Sequence, residues 1–173
     1  VFGEGVGWLG PGLNGGQASR PLRSGDAAYA PRPTVVTASE LLPAAERRRT
    51  GLPVKLALAA GREAFVHAGR DAAITATVFT SSSGDGENLH QICATLASPE
   101  REISPTRFHN SVHNAPAGYW SIATRSHEPS TSLCCHDASF AAGLLDAAAQ
   151  VAVDGKPVAL ITYDQPYPEP LHA

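Results

Sequence analysis

The sequence predicts an α/β domain built on a largely parallel sheet with helices on its faces. Two observations carry that expectation. Short apolar or β-branched runs alternate with amphipathic helical patterns from Val54 to Tyr163. Glycine, asparagine or proline punctuates the junctions, and such an alternation needs crossover connections, which favour parallel neighbours.

Val1 to Gly7 is short and partly apolar and reads as a first strand. From Gly10 to Pro33, glycines and Pro11, Pro21, Pro31 and Pro33 mark a long irregular connection, of the kind that often contacts a partner. Val54, Leu58, Gly61, Phe65 and Ala68 fall on one helical face, with Gly69 as the stop. Ala73 to Thr80 reads as a buried strand. Leu89, Ile92, Cys93, Leu96 and Ala97 line the next helix, which ends before Pro99. Asn114 caps a further helix, with Pro116 in the first turn, where a missing N–H costs little. Ser130 to Cys135 reads as a strand, and Phe140, Leu144, Leu145, Ala148, Val151 and Ala152 line the helix after it. Asp154-Gly155 turns the chain into a last strand, Pro157 to Tyr163.

Composition narrows the function classes. The chain has 173 residues, enough for one domain, and 43% apolar content supports a real core. Only 17% of residues are charged, which fits a surface covered in part by another subunit. A net charge of −3 gives no case for nucleic acid, and no apolar run approaches the ~20 residues of a membrane helix. Cys93, Cys134 and Cys135 offer no disulfide framework, so a reducing cytoplasm is the expected setting. The absence of methionine, the initiator included, points to a processed, tagged or incompletely represented chain.

Several motifs carry a resemblance. Val6-Gly7-Trp8-Leu9-Gly10-Pro11-Gly12-Leu13 looks like the glycine-rich opening of a β-ketoacyl synthase, and Lys55 to Ala64 looks like a helix of that family. Asn114-Ala115-Pro116-Ala117-Gly118, Glu128-Pro129 and Asp146-Ala147-Ala148 resemble, in one register, the segments around the family's nucleophile. Phe108 to Asn114 and Tyr163 to Pro170 resemble the chain-length-factor-like proteins of bacterial aryl-polyene pigment pathways. The chain therefore resembles the N-terminal domain of a β-ketoacyl synthase over residues 1–173, in the thiolase-fold superfamily. The resemblance implies half of a thiolase-like fold, a five-stranded, mainly parallel sheet. It leaves the second half, which supplies the condensing histidines, outside this sequence.

In that register Asp137 stands where the family carries its catalytic cysteine. Such a cysteine sits at a helix N-terminus, whose free N–H groups and partial positive charge stabilise a thiolate. An aspartate cannot carry an acyl chain as a thioester, although it is a favoured N-cap, and a helix beginning at Asp137 with its carboxylate near free N–H groups is expected. Shifting the register by two brings Cys135 to the position but loses two of the anchors. Cys134-Cys135-His136-Asp137 is no triad, since neighbours on a strand point to alternating sides; either thiol reads first as core filler.

Other clusters have plain readings. His109 and His113 stand four apart, but the helix signals begin later, and no metal ligand set or cofactor is expected. Ser81-Ser82-Ser83-Gly84-Asp85-Gly86 lacks the lysine of a phosphate loop and reads as a strand-to-helix connection. Arg47, Arg48 and Arg49 read as a solvated face, with contact to an acidic acyl carrier protein as the alternative.

By resemblance, the expected function is that of a noncatalytic, chain-length-factor-like partner of an active β-ketoacyl synthase. It would act on an acyl carrier protein in polyene, fatty-acid or polyketide-type elongation. Phe108, His109, Val112, His113 and Asn114 would form tunnel wall or subunit interface. One alternative is a fragment of an active synthase using Cys135 or Cys134; another is a stand-alone acyl-binding module.

Overall fold

A computed structural model describes residues 2–36 and 39–171. The chain opens on an extended segment and a small antiparallel ribbon, β1 (Leu9–Gly10) with β2 (Leu13–Asn14). Short helices α1 (Arg20–Ser24) and α2 (Ala44–Arg47) precede the long α3 (Leu52–Ala68). A single 3-10 turn, Ala72–Ile74, then leads into β3 (Ala76–Thr80). Three helices follow, α4 (Gly86–Ala97), α5 (Pro105–Asn110) and α6 (Ala115–Thr124). After β4 (Ser130–Leu133), a 3-10 turn at His136–Ala138 leads into α7 (Ser139–Asp154) and then β5 (Val158–Thr162).

The main sheet has three parallel strands in the order β4-β3-β5. The expected α/β class holds, but the five-stranded sheet is corrected to three strands plus a separate ribbon. The strand expected over Val1 to Gly7 accounts for part of the difference; Val1 itself lies outside the described residues. Gly5 and Gly7 lie flat against α3, where an added Cβ would collide with the backbone of Ala64 and Ala60. Alternate glycines thus allow close approach to a helix rather than pairing in a sheet. Glu63 fastens this segment, accepting hydrogen bonds from Trp8 N (2.8 Å) and Gly16 N (2.5 Å).

Helix α3 forms because its apolar residues repeat at helical spacing. Val54, Ala57, Leu58, Gly61 and Phe65 are buried on one face, and Pro53 occupies the first turn. Gly69, at φ +62°, ends it by returning its N–H to Phe65 and Val66 carbonyls, a left-handed cap that glycine adopts without strain. This face packs on α6 and the sheet through a core of Val54, Leu58, Phe65, Phe79, Trp120 and Ile161. The Trp120 ring lies 5.3 Å from Phe65 and 6.3 Å, edge-on, from Phe79.

On α7, Ser139, Gly143 and Ala147 form the buried stripe. A Cβ at Gly143 would overlap Thr80 Cγ2 and lie 2.9 Å from Leu160 Cδ1, so the helix rests directly on the strands. Gly143→Ala is expected to lower unfolding free energy by about 1–3 kcal/mol, the usual cost of overpacking, read from urea denaturation of the purified chain.

Candidate functional site

Parallel strands direct their C-terminal ends to one edge, and the loops there are the usual place for ligands in α/β sheets. The segments after β3, β4 and β5 converge at this edge. Asp164, just beyond β5, accepts hydrogen bonds from Ser81 Oγ (3.1 Å), Ser82 N (2.8 Å) and Ser82 Oγ (3.0 Å). One carboxylate thereby fixes the loop after β3, as charge-assisted bonds do efficiently. Ser81 Oγ in turn accepts from Gly84 N at 2.8 Å. Asp85 caps α4 by accepting from Asn88 N (3.1 Å), and it also accepts from Gln165 Nε2 (2.8 Å). The serine run is therefore the strand-to-helix connection its sequence suggested.

The turn after β4 is organised by Ser139, which the sequence reading passed over. Its hydroxyl is buried, accepts from Cys135 N (2.9 Å), and has the carbonyls of His136 (2.6 Å) and Ser81 (3.2 Å) as acceptors. This one side chain ties the β4 turn to the β3 loop. A serine directly before the apolar Phe140-Ala141-Ala142 run was the signal that could have found it.

Asp137 does not begin α7 with its carboxylate on free N–H groups, as the capping expectation had it. It lies in the 3-10 turn ahead of the helix, with its side chain 95% exposed and 3.4 Å from His136 Nδ1. Its carboxylate accepts no backbone hydrogen bond among the described residues. The reason is the turn itself: His136 adopts φ +51°, which swings the following residue outward and leaves Ser139 to enter the interior. A contact this exposed contributes little.

Both neighbouring thiols are exposed and unbridged. Cys134 Sγ donates to Ser82 O at 3.0 Å, while Cys135 stands at the entry to the 3-10 turn, not at the N-terminus of α7. Neither is the core filler the sequence suggested, because the edge of the sheet lies open beside them.

The segment from Phe108 to Asn114 divides. Phe108 and Val112 are exposed, at 67% and 52%, and so are His109 and Asn114. His109 sits on α5 and meets Tyr119 edge-on at 6.1 Å, whereas His113 lies beyond the end of that helix. The two imidazoles therefore share no helix face, and no group of three metal-binding side chains occurs among the described residues. His113 turns toward the edge described above: its carbonyl accepts from Tyr163 Oη at 3.4 Å, and its Nε2 is buried without a partner among the described residues. Arg49 lies 3.6 Å from Glu46 with its side chain 56% exposed, in keeping with a solvated basic run.

Tyr163 is the buried phenol of the site. Burial first, then the charges of Asp164, Cys134 and Asp85, push its pKa above the ordinary tyrosine range. The folded chain thus keeps this proton where the unfolded chain loses it. The stabilisation is fully present below about pH 10 and falls away as pH rises beyond it. Tyr163→Phe is expected to flatten that alkaline loss, measured by urea unfolding at neutral and strongly alkaline pH.

The three-stranded parallel sheet with helices on its faces defines an α/β domain, and comparison with known proteins gives its family. Residues 22–173 match the family described as β-ketoacyl synthase, N-terminal domain, and the chain belongs to that family. Its structure resembles that of a ketosynthase (ApeO) in complex with its chain length factor (ApeC) from Xenorhabdus doucetiae. The TM-score is 0.76 at 27% identity, covering 95% of this chain and 67% of that one. It also resembles a β-ketoacyl synthase from Burkholderia phymatum STM815, with a TM-score of 0.67 at 18% identity. That match covers 89% of this chain and 43% of the other, and speaks to the fold alone. No curated protein matches the sequence. Among the described residues, no helix is long and apolar enough to cross a membrane.

Proposed function

We propose that this chain is a noncatalytic, chain-length-factor-like subunit that pairs with an active β-ketoacyl synthase and shapes the cavity in which an acyl chain grows. The observation that carries the reading is the β4–α7 turn. Where the family's register places a nucleophilic cysteine, the chain has an exposed carboxylate, and the residue entering α7 is a serine whose hydroxyl is spent on the backbone. Neither Asp137 nor Ser139 offers a thiol for a thioester, and Cys135 stands ahead of the 3-10 turn rather than at the start of α7.

In this reading the partner supplies the cysteine and the histidines, and the substrate arrives on an acyl carrier protein in polyene, fatty-acid or polyketide-type elongation. Asp137 marks the inherited nucleophile position. Phe108, His109, Val112, His113 and Asn114 contribute to the tunnel wall or the subunit interface. The similarity to a ketosynthase in complex with its chain length factor supports this assignment. Phe108 and Val112 are exposed and so available to a partner.

The test is co-expression with an active β-ketoacyl synthase from the same genome, followed by co-purification and a condensation assay. The reading requires a stable complex whose acyl-enzyme forms on the partner alone. Condensation by this chain in the partner's absence contradicts it.

A further inference from the structure

A half-open surface cavity of about 240 Å³, with Gln17, Arg20, Arg23 and His67 exposed on its walls, lies away from the sheet edge, between the N-terminal ribbon segment, α1 and the end of α3. Its walls are Val6, Gly16, Gln17, Arg20, Arg23 and His67. Four of these six precede residue 22, where the family match begins, so the cavity belongs mainly to a part of the chain outside that match. We propose that it binds the phosphate group of a small phosphate monoester.

Unspent cationic and donor groups carry the proposal. Arg20 and Arg23 lie one turn apart on α1, and neither guanidinium is hydrogen-bonded or ion-paired within the described residues. Arg23 Cζ lies over the Trp8 ring at 5.2 Å from its centroid, a cation–π contact that uses none of its N–H groups as hydrogen-bond donors to another side chain. His67 Nδ1 lies 3.2 Å from Val6 N and 3.3 Å from Val6 O, so either tautomer finds a backbone partner there and Nε2 is left over.

The nearby carboxylates are already engaged. Both Glu63 oxygens accept backbone N–H groups, and Glu4 is bound in a two-point pair by Arg70 at 2.7 and 2.8 Å. Two guanidiniums match a phosphate dianion in charge and in paired-donor geometry. The volume falls below the ~300–1,000 Å³ of typical ligand pockets, which suits a phosphorylated head on a short body rather than a whole nucleotide.

The experiment titrates the whole protein with sodium phosphate, glycerol 3-phosphate and sodium chloride at matched ionic strength, following tryptophan emission. Trp8 is 40% exposed and Trp120 only 2%, so Trp8 reports on the cavity. A saturable response to both phosphates, tighter for glycerol 3-phosphate and absent with chloride, is expected. Arg20→Ala is expected to weaken binding about tenfold or more, with an unchanged circular dichroism spectrum. Arg23→Lys, which keeps the charge but loses the paired donors, is expected to weaken it severalfold. Unsaturable or chloride-like responses, or undiminished binding by the Arg20 variant, overturn the site. Equal affinity for inorganic phosphate and glycerol 3-phosphate overturns the monoester assignment.

Discussion

Replacing Phe108 by alanine is expected to abolish pairing with the synthase and, with it, product formation. The ring stands on α5, 67% exposed, and Val112, just past the end of that helix, is 52% exposed. An aromatic left in water loses the stabilisation its burial would give, and interfaces concentrate binding energy in such anchors. Truncating a central one costs ~2 kcal/mol or more, at least about thirtyfold in affinity. The fold should survive, because Phe108 contributes nothing to the core around Trp120. Cys135→Ala is expected to leave both pairing and product formation intact. Co-purification of each variant with the synthase, followed by a product assay, separates the outcomes. Retained pairing by the Phe108 variant would remove the interface assignment, and lost activity with intact pairing in the Cys135 variant would point to direct catalysis.

Trp120→Ala is expected to have the largest effect on stability. The indole is 2% exposed, between Phe65 and Phe79, and leans on Gly61, where an added Cβ would come within 2.6 Å of its ring. Removing a buried tryptophan typically costs ~3–5 kcal/mol, a large share of the ~5–15 kcal/mol that holds an ordinary domain folded. The variant should unfold at much lower denaturant or fail to accumulate. Trp120→Phe should lose far less, because the indole N–H makes no hydrogen bond within the described residues and only ring volume is forfeited. Urea unfolding of the two variants, read by circular dichroism, checks the ordering.

Much of the fold could be read from residue periodicity. The α3 face and its Gly69 stop, the buried β3 run and the helix after Asn114 all appear where apolar spacing and terminating residues put them. These features are local, set within one or two turns of chain. The N-terminal strand failed for a reason the pattern hides: Gly5 and Gly7 serve contact with α3, whose partner atoms lie some sixty residues away. The site was legible only in part. The register drew attention to Asp137, but the φ of His136 decides which residue faces inward, and the interior position falls to Ser139. The clamp of Ser81 and Ser82 by Asp164 joins residues more than eighty positions apart, and no local signal announces it. The exposure of Cys134 and Cys135 likewise depends on an open sheet edge, which the chain pattern alone does not fix.

The central claim is that this chain pairs with a synthase without forming a covalent acyl intermediate of its own. Intact-mass analysis of the co-purified complex after treatment with a mechanism-based ketosynthase inhibitor tests it most directly. The account predicts stoichiometric modification of the partner, with this chain, including Cys134 and Cys135, unmodified. Stoichiometric labelling of either cysteine here would contradict it.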